Sequence, residues 1–201
     1  MSINIELSNK QINIVICKYT LKMLNRRGLI DNPEEKLQEI SDQINNQASI
    51  DFVLNNNEKC SIYMINVKLT SIVNGTPLDE FLKSNLEIHK IVVIKDFTKK
   101  VAKQILDDYS NAEFFFEHEL LEDIPSKVFI PEHQLLSINE KQELFTKFNE
   151  NELSVIYMTD TMSRYYNAQV GDVFKIIRPS ITSGKSIFYR RVIYGSLDLI
   201  F

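Results

Sequence analysis

Residues 170–193 read VGDVFKIIRPSITSGKSIFYRRVI, two runs of alternating apolar and polar side chains joined by a polar turn. Gly171-Asp172 is a turn signal, and Val173 to Arg178 then alternates at strand period. Pro179 has no amide proton to give to a ladder, so the first strand is expected to stop there. A return strand is expected over Ser186 to Val192, with Ser183-Gly184 supplying the permissive backbone of a connection longer than the tight two-residue kind. Val173, Phe174, Ile176, Ile177, Ile187 and Val192 need a core. Lys175, Arg178, Lys185, Arg190 and Arg191 make a basic rim on the same small unit.

The rim stands out against the composition. The 201 residues are 44% hydrophobic and 25% charged, as in an ordinary globular protein, with a formal net charge of −4. An acidic balance argues against a free-standing nucleic-acid binder, so any contact with DNA should be local and assisted by partners. The first six residues carry no basic leader pattern and no window reaches the length of a membrane span, so an intracellular protein with no membrane partner is expected. Cys17 and Cys60 form no CxxC and have no metal spacing, and they read as buried free thiols. The excess of Asn, Ile and Lys is that of an A/T-rich coding genome, such as a large DNA virus or an A/T-rich protist.

Working back toward the amino terminus, helical spacing of Ile12, Val15, Ile16, Tyr19, Met23 and Leu24 predicts a first helix that Gly28 stops. Asn32-Pro33-Glu34-Glu35 opens a second, with Leu37, Ile40 and Ile44 on one face. Ile50 to Leu54 and Cys60 to Leu69 read as a strand pair around an asparagine turn, and Thr76-Pro77 opens another helix. The run His89 to Ile94 looks like a strand buried on both faces. A helix capped by Thr98 and a strand over Glu113 to Phe116 follow it. Strand, helix, strand at this length implies a parallel crossover, hence an α/β amino-terminal domain. The lower hydropathy near Glu122 to Pro125 sets the expected domain limits at 1–122 and 123–201. Beyond it, Ser137 with Glu140 forms a capping box, and Asp160 or Thr161 caps a short helix.

GDVFKIIRPS, SGKSIFYR and the valine that follows, with IPEH at 130–133 and SRYY at 163–166 upstream, resemble the carboxy-terminal domain of the fifth subunit common to the eukaryotic nuclear RNA polymerases. The small archaeal counterpart of that subunit is little more than this one domain. The resemblance implies a small α+β assembly domain of the archaeal type, preceded here by a nuclease-like three-layer jaw as in the eukaryotic form. It implies a non-catalytic structural subunit that uses no cofactor, binds the largest polymerase subunit among other subunits, and sits beside downstream duplex DNA. It would work in the nucleus if the source is cellular, or in a viral factory or virion if it is viral. The other reading, from a different class, is an inactive nuclease-like binding module acting apart from a polymerase.

The site residues follow from both kinds of reading. No glycine-rich phosphate loop, HExxH or Ser-His-Asp spacing occurs, so neither catalytic nor metal-ligating residues are expected. A nuclease ancestor would hold metal with Asp51 and an acid-x-lysine, but the matching segment is Asn66-Val67-Lys68, and one carboxylate holds a hard ion poorly. The resemblance places Thr98, Lys99, Lys100 and Lys103 near the downstream DNA, which makes them the DNA-proximal candidates. The lysines oppose the helix dipole, which a docked phosphate would offset; a solvated lysine pair is the alternative. The partner-binding candidates are His133, Arg164, Tyr165, Lys175, Arg178, Ser180, Tyr189 and Arg190. From 163 to 192 six basic residues face only Asp172, and their mixture with aromatics is typical of protein interfaces.

Overall fold

The structure is a computed structural model that describes residues 8–47, 49–180 and 184–200, apart from the side chains of Asn45 and Leu199. The chain divides into two compact units, Met1–Asp123 and Ile124–Phe201.

In the first unit, α1 (Asn9–Arg26) is opened by a Ser8/Gln11 capping box and closed by Gly28, whose φ of 74° suits a residue without Cβ. It buries Ile16, Cys17, Leu21, Met23 and Leu24. The expected second helix is broken into α2 (Pro33–Glu39) and α3 (Ser41–Asn46). The break lies at Ile40, where the Ser41 hydroxyl donates to the Gln38 carbonyl and competes with the helical ladder. Next come β1 (Ser49–Val53), β2 (Lys59–Leu69), α4 (Pro77–Lys83), β3 (His89–Phe97), α5 (Lys99–Asp108) and β4 (Ala112–Phe116). The sheet order is β1-β2-β3-β4, antiparallel at the first pair and parallel at the other two. Both parallel pairs are connected through a helix, which is the crossover the strand-helix-strand pattern predicts.

In β3, Lys90 to Ile94 are all buried. Lys90 is the polar exception, and its ammonium donates to the Leu82 carbonyl at 2.8 Å and to the Ser84 carbonyl, closing the end of α4. Burial pushes its pKa down. Between the end of α1 and β4 lies a second buried charge group. Arg27, with its side chain 4% exposed, meets Glu113 at 2.7 Å, and His89 Nε2 lies 2.8 Å from the same carboxylate. Burial alone would push Glu113 up, but the Arg27 charge and the hydrogen bonds from His89 and Arg27 bring it down to about 2. Both cysteine thiols are buried and free, and burial pushes each to about 12.

The second unit is built from β5 (Glu132–Leu135), α6 (Ile138–Phe145), β6 (Ser154–Tyr157), α7 (Thr161–Tyr165), β7 (Val173–Ser180) and β8 (Gly184–Ile193). Its sheet runs β5-β7-β8-β6, with the hairpin strands in the middle. Ile156, Ala168, Phe174, Ile176 and Val192 form its core. β7 does not stop before Pro179. It continues to Ser180, with Pro179 opposite Lys185. The pairing of β5 ends at Ile177, so beyond it the proline nitrogen has an unpaired side to face. Ser183 of the connection lies outside the described residues; Gly184 has a φ of 73°.

Candidate protein interface on the carboxy-terminal unit

Strand period divides the candidate residues between two faces of the second sheet. On one face the register aligns Phe174 with Arg190, Ile176 with Phe188 and Arg178 with Ser186, and the β5 pairing adds His133 beside Ile176. On the other it aligns Val173 with Arg191, Lys175 with Tyr189 and Pro179 with Lys185. The partner set read from the sequence is therefore split. His133, Arg178 and Arg190 share a face, and Lys175 and Tyr189 are on the reverse.

The reverse face is covered in part by its own unit, around Lys175, Tyr189 and Arg191, while Ile187 on that face is 53% exposed. Phe148 and Tyr189 have ring centroids 6.4 Å apart, Arg191 donates to Glu150 at 3.0 Å, and Lys141 donates to the Gly171 carbonyl at 3.2 Å. Tyr165, one of the partner-binding candidates, is 3% exposed and packs edge-on against Tyr166 in the interior of the unit. Arg164 Nε donates to the Thr159 carbonyl at 3.4 Å. Ser180 ends β7 opposite Gly184.

The first face opens into a cleft of about 1100 Å³, bounded by residues 128–131 and the start of α7. Its floor includes Ile176 and Phe188, its charges are Arg178, Lys185 and Arg190 with Glu132 and Asp160, and Phe129 stands at its rim, 80% exposed. His133 lines it with a defined tautomer. Nδ1 lies 2.7 Å from the Pro131 carbonyl, which only accepts, so Nδ1 carries the hydrogen and Nε2 is the acceptor of the neutral ring. Burial pushes the His133 pKa down, as does nearby Arg190, against the opposing pull of the Pro131 bond and Asp160. A cleft of this kind offers apolar contact, arginine donors and one imidazole acceptor, the materials of a protein interface. Phe129 was not singled out by sequence, and Asp160 only as a helix cap. The signal for Phe129 was an apolar run, Val128 to Ile130, with no buried period to absorb it.

In the first unit, Thr98 precedes α5 without capping it through its side chain; its hydroxyl donates instead to the Thr70 carbonyl at 3.1 Å. Lys99, Lys100 and Lys103 are exposed along the start of that helix. The nuclease-like acid pair is not assembled. Asp51 lies opposite Ser61 and accepts its hydroxyl, about 16 Å along the strand from Asn66 at 3.3 Å per residue. Asn66 falls in a register shift between Ile65 and Lys68, and Lys68 pairs with Asp96 at 2.6 Å. Among the described residues no three His, Cys, Asp or Glu side chains gather as a metal site, and no helix is long and apolar enough to cross a membrane.

Two sheets in two units define a mixed α/β protein, and the comparisons with known proteins narrow the class. Residues 122–192 match the family model for RNA polymerase Rpb5, C-terminal domain. A protein named DNA-directed RNA polymerase subunit 5, from Acanthamoeba polyphaga mimivirus, is 32% identical over 92% of this chain and 94% of its own length. The rpabc1 subunit of DNA-directed RNA polymerases I, II, and III of Dictyostelium discoideum is 36% identical over 55% of this chain and 60% of its own. Subunit Rpo5 of the DNA-directed RNA polymerase of Methanothrix thermoacetophila is 41% identical over 32% of this chain and 85% of its own. The chain belongs to the subunit 5 family of DNA-directed RNA polymerases.

Proposed function

We propose that this chain is a non-catalytic structural subunit of a multisubunit DNA-directed RNA polymerase, anchored to the largest subunit through the cleft of its second unit. The observation that carries this is the likeness to a polymerase subunit over nearly the whole of both chains. The cleft supports it, because Arg178 and Arg190 project from an exposed face that also shows Phe188 and Phe129. The first unit would act as the nuclease-like jaw beside downstream duplex DNA, with Thr98, Lys99, Lys100 and Lys103 nearest the phosphates. Separation of Asp51 from Asn66 supports a jaw without cleavage, leaving phosphoryl transfer to metal-bound acids of other subunits. The working place is then the nucleus or a viral factory, according to source. A module acting apart from a polymerase has no observation in its favour.

Co-purification tests the reading. The tagged chain should retain the largest subunit at fixed stoichiometry, and its absence from every polymerase preparation would overturn the proposal. Arg178→Ala and Arg190→Ala should each weaken that association by about 2 kcal/mol if buried at the interface. Thermal melting of the free chain should stay unchanged, because both side chains are exposed. Lys175→Ala, on the reverse face, should leave association unaltered. The purified chain should not cut DNA with magnesium or manganese; cleavage abolished by Asp51→Ala would show a catalytic jaw.

A further inference from the structure

The cleft carries a spacing as well as a charge. Arg190 lies opposite Phe174, and Arg178 is four residues further along that strand on the same face. At 3.3 Å per residue the two backbone positions are about 13 Å apart along the strand. Midway between them sits the Ile176–Phe188 pair, and Phe188 is 51% exposed. Among the described residues neither arginine is engaged by a carboxylate of its own chain. An extended segment presents same-side residues about 6.6 Å apart, so its positions i, i+2 and i+4 span the same interval.

We propose that the cleft receives an extended stretch of a neighbouring polymerase subunit in which an acid, an apolar side chain and a second acid occupy alternate positions. The acids meet Arg190 and Arg178, each able to accept a two-pronged guanidinium bond, and the apolar side chain rests on Ile176 and Phe188. The identity of the partner rests on the polymerase reading; the pattern rests on the cleft alone. Glu132 and Asp160 also line the cleft and repel a polyanionic strand, which favours a protein segment with two placed carboxylates over nucleic acid.

Fluorescence anisotropy of the full chain at low salt tests the pattern with labelled synthetic peptides. A peptide centred on Glu-Ser-Phe-Ser-Glu should bind, and its rearrangement Ser-Glu-Phe-Glu-Ser, equal in charge and composition, should bind about tenfold more weakly, as should the version with both acids changed to glutamine. Arg178→Ala and Arg190→Ala should each cost about tenfold, and Lys175→Ala nothing measurable. Equal binding of the two arrangements, no binding by either, or displacement of the peptide by a thymidine oligonucleotide would overturn the proposal. A chain that fails these peptides yet co-purifies with polymerase would refute the pattern and leave the subunit reading standing. One that binds the peptide in register but never co-purifies would do the reverse.

Discussion

Glu113 shows how far one residue can be held from its ordinary chemistry, and what that is worth. Its carboxyl sits near 2 when folded against an ordinary 4.5, because Arg27 and His89 face it within the first unit. A depressed folded value stabilises above the unfolded one, so the contribution is complete above pH 4.5 and is lost as pH falls toward 2. The loss should be about 3 kcal/mol. Urea midpoints measured across that interval should fall steeply for the natural chain. Glu113→Gln should flatten the slope while lowering stability at neutral pH, because it leaves the Arg27 guanidinium buried without its counter-charge. A wild-type curve flat from pH 4.5 to 2 would mean the pair is not maintained. Nothing in the sequence announced this group: Arg27 and Glu113 are 86 positions apart, and Arg26-Arg27-Gly28 reads there only as a helix stop.

At the scale of elements, local chemistry was legible and distant pairing was not. Asn32-Pro33, Thr76-Pro77 and the Ser137/Glu140 box each start a helix where expected, since a cap is written within four residues. The strands of four residues, β5 and β6, were missed. Each is held by a partner far along the chain, His133 by Ile176 and Val155 by Arg191, and neither contains enough alternation to declare itself. Pro179 misled for a related reason: its effect depends on which side of the strand is unpaired, a property of the sheet. α5 carries the element's own prediction. Lys100 is exposed in the first turn, where the helix dipole disfavours a cation. Lys100→Glu should leave the free chain as stable as before or up to ~1 kcal/mol more so. In assembled polymerase it should weaken the hold on downstream duplex and lower the salt slope by about one. An unchanged slope would return this lysine to simple solvation.

For the molecule as a whole, the two units each complete a sheet from their own strands. We infer that the part from residue 124 onward folds alone. Limited proteolysis should therefore yield a resistant carboxy-terminal fragment that binds the cleft peptide as the full chain does, and loss of structure in both parts after a single cut near Glu122 would exclude this. Of the candidate interface, the residue types and their order were visible in the sequence. The division of Lys175 and Tyr189 from Arg178 and Arg190 needed the register, and the burial of Tyr165 needed the packing of α7. The order of strands has one more consequence, in time. In the second sheet the middle strands, β7 and β8, are the last to be made: β5 waits for β7, β6 waits for β8, and the sheet is complete only when the ribosome has delivered residues up to Ile193. A chain broken off before that point would present no finished sheet, and on the proposed reading unfinished copies would therefore lack the docking face.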